Sequence, residues 1–100
     1  MDRIALENGS WFDADKARKI NEHEWWDGNN WISSATGSQW DHEVLHETAK
    51  GKWVLHHWSQ RTGYGDSWEL LTDQEAAVWL VENNREIPER LTSLVTEAEL

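Results

Sequence analysis

Residues 42–84 form one uninterrupted stretch of local structural signals, and these signals determine most of the expected architecture. At its centre, Ala49-Lys50-Gly51 fits a three-residue hairpin loop in which the glycine takes the left-handed conformation and closes a bulge. The loop determines which residues of the flanking strands face each other, and it places His42 opposite Trp58. The sequence therefore predicts an antiparallel hairpin with two distinct faces.

A third strand, Ser67 to Leu71, leads directly into a helix start signal. Thr72 and Glu75 form a capping box, in which each side chain accepts a hydrogen bond from the backbone N–H of the other residue. We expect a helix over Asp73 to Asn83, ending in the left-handed conformation at Asn83 or Asn84. Its buried stripe should pack on the sheet and consist of Ala76, Trp79, Leu80 and Asn83, widened by Ala77 and Val81.

The N-terminal residues predict a hairpin and a short helix. Arg3 to Glu7 and Ser10 to Phe12 flank Asn8-Gly9, which is a strong signal for a tight hairpin turn. Asp13 fits the N-cap of a helix over Ala14 to Asn21. This helix would carry the only locally basic patch of the chain.

A second hairpin is predicted around a cluster of turn-forming residues. Glu24-Trp25-Trp26 and Trp31-Ile32-Ser33 flank Asp27-Gly28-Asn29-Asn30. The loop does not match a calcium-binding loop, because its glycine is misplaced and the terminal glutamate is missing. We therefore expect a second hairpin or a tight loop that carries three tryptophans and no calcium site.

The C-terminal residues 85–100 predict a further helix. Proline at position 88 suits a first helical turn, and apolar residues then recur at helical spacing at Leu91, Leu94, Val95 and Ala98. This segment could fold back on the core, bind a partner or fray. The whole chain, residues 1–100, is expected to be one domain with its core in 1–84. The predicted class is α+β: an antiparallel meander with the capped helix on one face and a short C-terminal helix.

Composition limits the partners that such a domain can have. Nineteen acidic and nine basic residues give a net charge of −10, which repels the phosphates of nucleic acids. The charge favours a protein partner with a basic surface, or it serves solubility alone. There is no cysteine and no apolar run long enough for a signal peptide or a membrane span, so we expect a cytoplasmic protein with no membrane partner.

Nine tryptophans are more than a domain of this size can bury completely. Because exposed aromatic rings are frequent at the centres of protein interfaces, the tryptophans of the second hairpin and the glycine-rich loop 61–66 are the candidate contact surface. The predicted partner-binding residues are Trp25, Trp26, Trp31, Trp58 and Tyr64.

Three histidines share one face of the central hairpin with Trp58. His42 and His46 are four residues apart on one strand, or about 13 Å, which is too far to bind one ion together without a bulge. His46 and His56 can meet, but a third ligand would have to come from elsewhere. We therefore expect a half-exposed surface of aromatic and histidine rings there, with no metal and no cofactor.

Catalytic residues are not predicted. Glu43 lies opposite His57 in the proposed register and could orient this imidazole as a base, although such cross-strand pairs are common in sheets. Ser59 shares the face of His57, yet no oxyanion hole is indicated. An enzyme is not the expected function.

Four motifs lie along the middle of the chain: WDGNN at 26–30, TGSQW at 36–40, TAKGKWVL at 48–55 and EAAVWL at 75–80, the last within an LTxxEAAxWL helix. Together they resemble the motifs of small tryptophan-rich bacterial proteins carried on plasmids or phage genomes. The resemblance covers roughly residues 11–84. It implies an accessory role such as counter-defence or toxin neutralisation, and it implies no catalytic residue.

Taken together, these patterns predict an acidic, non-enzymatic binding protein that acts as an inhibitor or accessory factor through contact with another protein. The alternative is a carbohydrate-binding module, in which tryptophan rings stack on sugars and Asn29 and Asn30 bind hydroxyl groups.

Overall fold

Eight strands and two α-helices make up the computed structural model, which describes residues 1–100. The strands are β1 (Arg3–Ala5), β2 (Trp11–Asp13), β3 (Arg18–Asn21), β4 (Glu24–Trp26), β5 (Trp31–Ser33), β6 (Asp41–Glu47), β7 (Trp53–Ser59) and β8 (Ser67–Leu71). The helices are α1 (Asp73–Glu82) and α2 (Thr92–Ala98), and single 3₁₀ turns lie at Ala14–Lys16 and Glu89–Leu91. No helix is long and apolar enough to cross a membrane.

The central hairpin, β6 and β7, has the predicted register. His42 faces Trp58 and Leu45 faces Leu55. Gly51 has a φ of +78°, and its backbone N–H donates to Thr48 O at 2.9 Å, as the three-residue loop requires. The hairpin prediction is confirmed.

The main sheet is antiparallel, with the strand order β3-β6-β7-β8. Two further ribbons, β1–β2 and β4–β5, are separate from it. One face of the main sheet packs against α1, and the core between them centres on Leu45, Trp53 and Leu80, none of which is exposed. The predicted α+β class, with a meander and a helix on one face, is confirmed. The molecule is only 20 Å thick along its shortest axis.

Helix α1 begins and ends as its capping signals indicate. The Thr72 hydroxyl accepts from Glu75 N at 3.1 Å, and the Glu75 carboxylate accepts from Thr72 N at 2.9 Å. Asn84 takes the left-handed conformation after the helix, with a φ of 53°. The predicted stripe is buried except for Val81, which is 53% exposed. Inclusion of Val81 was wrong because the narrow sheet covers only the side of α1 that carries the two alanines, Trp79, Leu80 and Asn83.

The helix predicted over residues 14–21 is not formed. Asp13 caps only the 3₁₀ turn, and Arg18–Asn21 is the edge strand β3, paired with β6. Pairing with β6 places Ile20 opposite Leu45, inside the core. Burial of Ile20 and the strand hydrogen bonds outweigh the weak local preference for a helix.

The N-terminal hairpin is confirmed, but its turn differs from the prediction. Leu6 N donates to Ser10 O at 2.9 Å, so the loop contains Glu7, Asn8 and Gly9 rather than Asn8 and Gly9 alone. Gly9 has a φ of +87°, whereas Asn8 stays outside the left-handed region and accepts a hydrogen bond from Ser10 N. The loop is thus of the same three-residue kind as that of the central hairpin.

The C-terminal segment folds back on the core. Leu91 is fully buried in the core cluster, and Leu94 and Val95 pack against it. Arg90 joins this segment to the turn of the central hairpin, because its Nη2 donates to Glu47 Oε2 and to Gly51 O, both at 2.9 Å.

Candidate interaction surface

The β4–β5 ribbon presents three tryptophans to solvent, and we call it the tryptophan ribbon. Trp26 lies directly opposite Trp31, and their ring centroids are 5.6 Å apart with the planes tilted by 59°. Their residues are 54% and 58% exposed. Trp25, paired with Ile32, is 49% exposed and lies on the other side of the ribbon because side chains alternate.

The base of the tryptophan ribbon is tied to the core by hydrogen bonds. His23 N donates to Asn83 Oδ1 at 3.0 Å, and Arg85 donates to Asn21 O and Glu22 O, both at 2.9 Å. Asn83 is fully buried at the end of α1. The ribbon therefore projects its rings from a fixed base.

The loop at the tip of the ribbon is held by Asp27. Its Oδ1 accepts from Asn30 N at 2.7 Å and from Asn29 N at 2.8 Å. The bonds from Asn30 and then Asn29 hold the pKa of the Asp27 carboxyl below its usual value. This carboxylate is occupied in forming the turn, in keeping with the mismatch to a calcium loop.

Trp58 and Tyr64 lie apart from the ribbon rings. Trp58 is half-buried on the main sheet and stacks on His42, with centroids 4.6 Å apart. Tyr64 is 58% exposed in the loop after β7, where Arg61 lies 5.5 Å from its ring. The structure thus brings Trp26 and Trp31 into direct contact, while Trp58 and Tyr64 form no ring contact with them.

The histidine face of the central hairpin is more buried than predicted. His42, His46 and His56 share one side with Trp58, as expected, but His42 and His46 are only 8% and 6% exposed. Phe12 of the β1–β2 ribbon lies 5.7 Å from the ring of His46 and covers it. The expectation of a half-exposed surface was wrong for His46, which Phe12 covers, and for His42, which stacks on Trp58. His56 and Trp58 themselves are partly exposed.

Trp68, which is half-buried, completes this ring cluster, and the sequence reasoning did not identify it. Its ring stacks on His56 at 3.9 Å with parallel planes and lies 5.4 Å from His46. The cross-strand pairing of His56 with Trp68 is the signal that could have revealed the contact.

His46 is held in its neutral form. Burial, and then the charges of His56 and Lys19, lower its pKa from the ordinary value of 6.5. Both of its ring nitrogens are buried without a hydrogen-bond partner. A proton added to this ring would have no hydrogen-bonded carboxylate to stabilise it. Protonation of His46 at acid pH therefore destabilises the fold.

One group of three potential metal ligands converges at the start of the tryptophan ribbon: Glu22, Glu24 and His42, with ligand atoms within 4.8 Å of one another. The Glu22 carboxylate is already used, because Oε2 pairs with His42 Nδ1 at 2.9 Å and Oε1 accepts from Glu43 N. Glu24 Oε1 is 4.0 Å from the same ring nitrogen. The hydrogen bonds of Glu22 account for this geometry without an ion.

Two histidine pairs resemble parts of a catalytic site. Glu43 Oε2 lies 3.2 Å from His57 Nδ1, as predicted, and its other oxygen accepts from Trp79 Nε1 at 3.1 Å. The Glu43 carboxylate thereby links the sheet to α1. His23 Nδ1 lies 2.9 Å from Ser34 Oγ, a contact that the sequence reasoning missed, and no carboxylate is hydrogen-bonded to His23.

Two further tryptophans are exposed outside the predicted surface. Trp11 is 55% exposed and Trp40 is 44% exposed. Strand alternation next to Phe12, which is buried, could have indicated that Trp11 points outward.

No protein-family model, no curated protein and no solved structure matches this chain. The resemblance to plasmid- and phage-carried proteins therefore stays a prediction, and the function has to be inferred from the surface itself.

Proposed function

We propose that this chain is an acidic binding protein that acts in the cytoplasm by contact with another protein. It would serve as an inhibitor or accessory factor of the counter-defence or antitoxin type. The single observation that carries the proposal is the Trp26–Trp31 pair, two adjoining rings that are each more than half exposed on a ribbon with a fixed base.

The exposed ring area is large enough to drive binding. A tryptophan offers roughly 200 Å² of surface, so a residue about half exposed leaves on the order of 100 Å² for a partner to cover. At about 25 cal/mol per Å², each ring could contribute about 2.5 kcal/mol before the costs of association. Pairs of exposed aromatic rings of this kind are typical anchors of protein interfaces.

Charge supports a basic partner. The net charge of −10 accelerates association with a positively charged surface and slows approach to a negative one. The electrostatic contribution acts mainly on the association rate, whereas the buried rings act mainly on the dissociation rate. The two contributions can therefore be measured separately.

The test begins with capture of a partner on the immobilised protein at low salt, and the interaction is then measured with both proteins purified. We expect the association rate to fall about tenfold or more between low and high ionic strength. Trp26→Ala and Trp31→Ala should each weaken binding by about 2 kcal/mol, or about 30-fold in Kd.

Trp11→Ala is the matched control. Trp11 is as exposed as Trp26, at 55% against 54%, but lies on the other ribbon. If Trp11→Ala weakened binding as much as Trp26→Ala, with both variants folded, the tryptophan ribbon would not be the interface. An association rate that did not change with salt would refute the proposed electrostatic acceleration of binding.

Carbohydrate binding is the second candidate, and it is favoured by the tip of the same ribbon. The side-chain amides of Asn29 and Asn30 make no hydrogen bond within the chain, although they lie next to Trp31. Free amides beside aromatic rings can bind sugar hydroxyls while the rings stack on the sugar. A glycan array hit that does not depend on salt would favour this function over protein binding.

A further inference from the structure

The lysines of this protein are unpaired despite its many carboxylates. None of the four lysine side chains takes part in a salt bridge or a hydrogen bond, whereas Arg18 and Arg90 both pair with Glu47. Three of the four, Lys16, Lys50 and Lys52, line one groove of about 880 Å³. Unpaired cations gathered at one site on a molecule of net charge −10 indicate a local preference for an anion.

The floor of this groove is apolar. It runs between the β1–β2 ribbon and the ends of β7 and β8, and it includes Leu6, Phe12, Val54 and Leu70. Leu70 is 43% exposed, so part of this floor remains open to solvent. Lysines beside an apolar floor match a ligand with an apolar body and an anionic end.

Two acidic residues, Asp13 and Asp73, line the groove together with the three lysines. Asp13 Oδ1 accepts from Asp15 N at 3.0 Å and from Asp2 N at 3.1 Å. Asp73 Oδ1 lies 3.4 Å from Arg90 Nη1. The lining thus holds three lysines and two carboxylates, and charges more than about 10 Å away are largely screened at 0.1 M salt. Positive charge therefore prevails at contact distance even though the whole molecule is acidic.

We propose that this groove binds a small amphipathic carboxylate, with the carboxylate at the lysines and the apolar body on the Phe12 and Leu70 floor. The groove volume lies within the range of about 300–1,000 Å³ that is usual for small-molecule sites. The groove lies on a different part of the molecule from the tryptophan ribbon, so this site is independent of the proposed protein interface.

Octanoate is a suitable probe, because it stays monomeric at millimolar concentration. Two-dimensional ¹H–¹⁵N NMR titrations of the full chain with octanoate, 1-octanol and acetate separate the apolar and anionic contributions. We expect octanoate to shift the amides of Lys50, Lys52 and Leu70. It should bind at least about fivefold more tightly than either 1-octanol or acetate.

Variants locate the site. Lys52→Gln should weaken octanoate binding about threefold, and Lys50→Gln combined with Lys52→Gln should weaken it about fivefold or more. Lys19→Gln is the matched control, because it changes the net charge equally at the one lysine outside the groove. Leu70→Asn should weaken octanoate and 1-octanol together.

Three outcomes would overturn the proposal: equal affinity for octanoate and 1-octanol, amide shifts confined to residues outside the groove, or equal effects of Lys52→Gln and Lys19→Gln. A peptide of alternating leucine and glutamate that binds in the groove more tightly than octanoate would also contradict it, because the occupant would then be an acidic peptide.

Discussion

Replacement of Arg90 by alanine tests how the C-terminal segment is held. Arg90 Nη2 donates to Glu47 Oε2 and Gly51 O, and its guanidinium lies 4.8 Å from the ring centroid of the buried Trp53. One substitution therefore removes contacts to the end of β6, to the hairpin turn and to a core tryptophan. We expect the free energy of unfolding to fall by about 2 kcal/mol.

This magnitude is the sum of three modest contributions, since the longer and more exposed pair of Arg90 with Asp73 adds little. The hydrogen bond to the Gly51 carbonyl contributes about 1 kcal/mol. The contact with the Trp53 ring adds about 0.5–1 kcal/mol. The ion pair with Glu47 adds only about 0.5 kcal/mol, because the Arg90 side chain is 40% exposed and solvent screens the pair. Arg90→Lys keeps the charge but loses the planar guanidinium that donates to several acceptors at once. It should lower the free energy of unfolding by about 1 kcal/mol.

Urea denaturation followed by circular dichroism measures the loss, which corresponds to a fall in Tm of about 10 °C for a domain of this size. Burial would raise the pKa of Glu47, but hydrogen bonds from Arg90 and Arg18 outweigh it and hold the pKa below 4.5. A depressed carboxyl pKa stabilises the fold above that value and loses this effect as pH falls. The cost of Arg90→Ala should therefore be smaller at pH 3 than at pH 7.

Arg61→Ala is the matched control, since Arg61 lies over the Tyr64 ring in an exposed loop and should change stability by less than about 0.5 kcal/mol. If Arg90→Ala cost no more than Arg61→Ala, the Arg90 contacts would not hold the C-terminal segment on the hairpin, and the reasoning would fail.

Four further predictions concern stability and use the same denaturation assay. Asn83→Ala should lower the free energy of unfolding by about 2–3 kcal/mol, because the backbone N–H of the part-buried His23 loses its acceptor. Asn84→Gly, at a φ of 53°, should leave stability unchanged, and equal effects of the two substitutions would contradict this. His46→Phe should reduce the loss of stability as pH falls below about 6.5, because the lowered histidine pKa makes the unfolded state bind more protons there; an unchanged pH profile would refute it. Thr72→Ala should cost about 1 kcal/mol through loss of the cap, and a neutral result would count against the capping box. Gly51→Val should cost more than about 1 kcal/mol from backbone strain alone, since an added Cβ would meet Arg90 only at 3.7 Å; a neutral result would contradict the left-handed turn.

The parts of the fold that the sequence predicts correctly depend on residues close together in the chain. The loop at Gly51 brings neighbouring residues together and so determines the strand register. The capping box joins Thr72 to Glu75, three residues away. Signals of this kind need no knowledge of the remaining structure.

The parts that were wrong depend on distant residues. Arg18–Asn21 becomes a strand because β6 offers it an edge, and Arg18 bonds to Glu47 across 29 residues. No pattern within residues 14–21 reports that edge. Its apolar spacing fits a short helix equally well, so only the tertiary structure decides between the two.

The local features of the candidate surface were predictable from the sequence, whereas its long-range contacts were not. The turn at Asp27 predicts a ribbon, and strand alternation predicts that Trp26 and Trp31 share a side. Alternation also places His42 and His46 on one face, but it cannot show that Phe12 covers His46. The proximity of Lys16 to Lys50 and Lys52 likewise depends on how the β1–β2 ribbon folds over the sheet.

The position of the tryptophan ribbon in the chain has a consequence for the order of folding. Strand β6 pairs with β7 and β7 pairs with β8, and α1 follows at once, so these contacts can form early. Pairing of β3 with β6 must first close residues 22–40 into a loop, and β4–β5 lies inside that loop. The β4–β5 pairing is itself local, but the base of the ribbon is held by Asn83 and Arg85, so we expect the ribbon to be fixed to the core last. Its backbone amides should exchange hydrogen faster than those of β6 and β7. A nascent chain would thus display the Trp26–Trp31 pair on a fixed base only after the meander is complete.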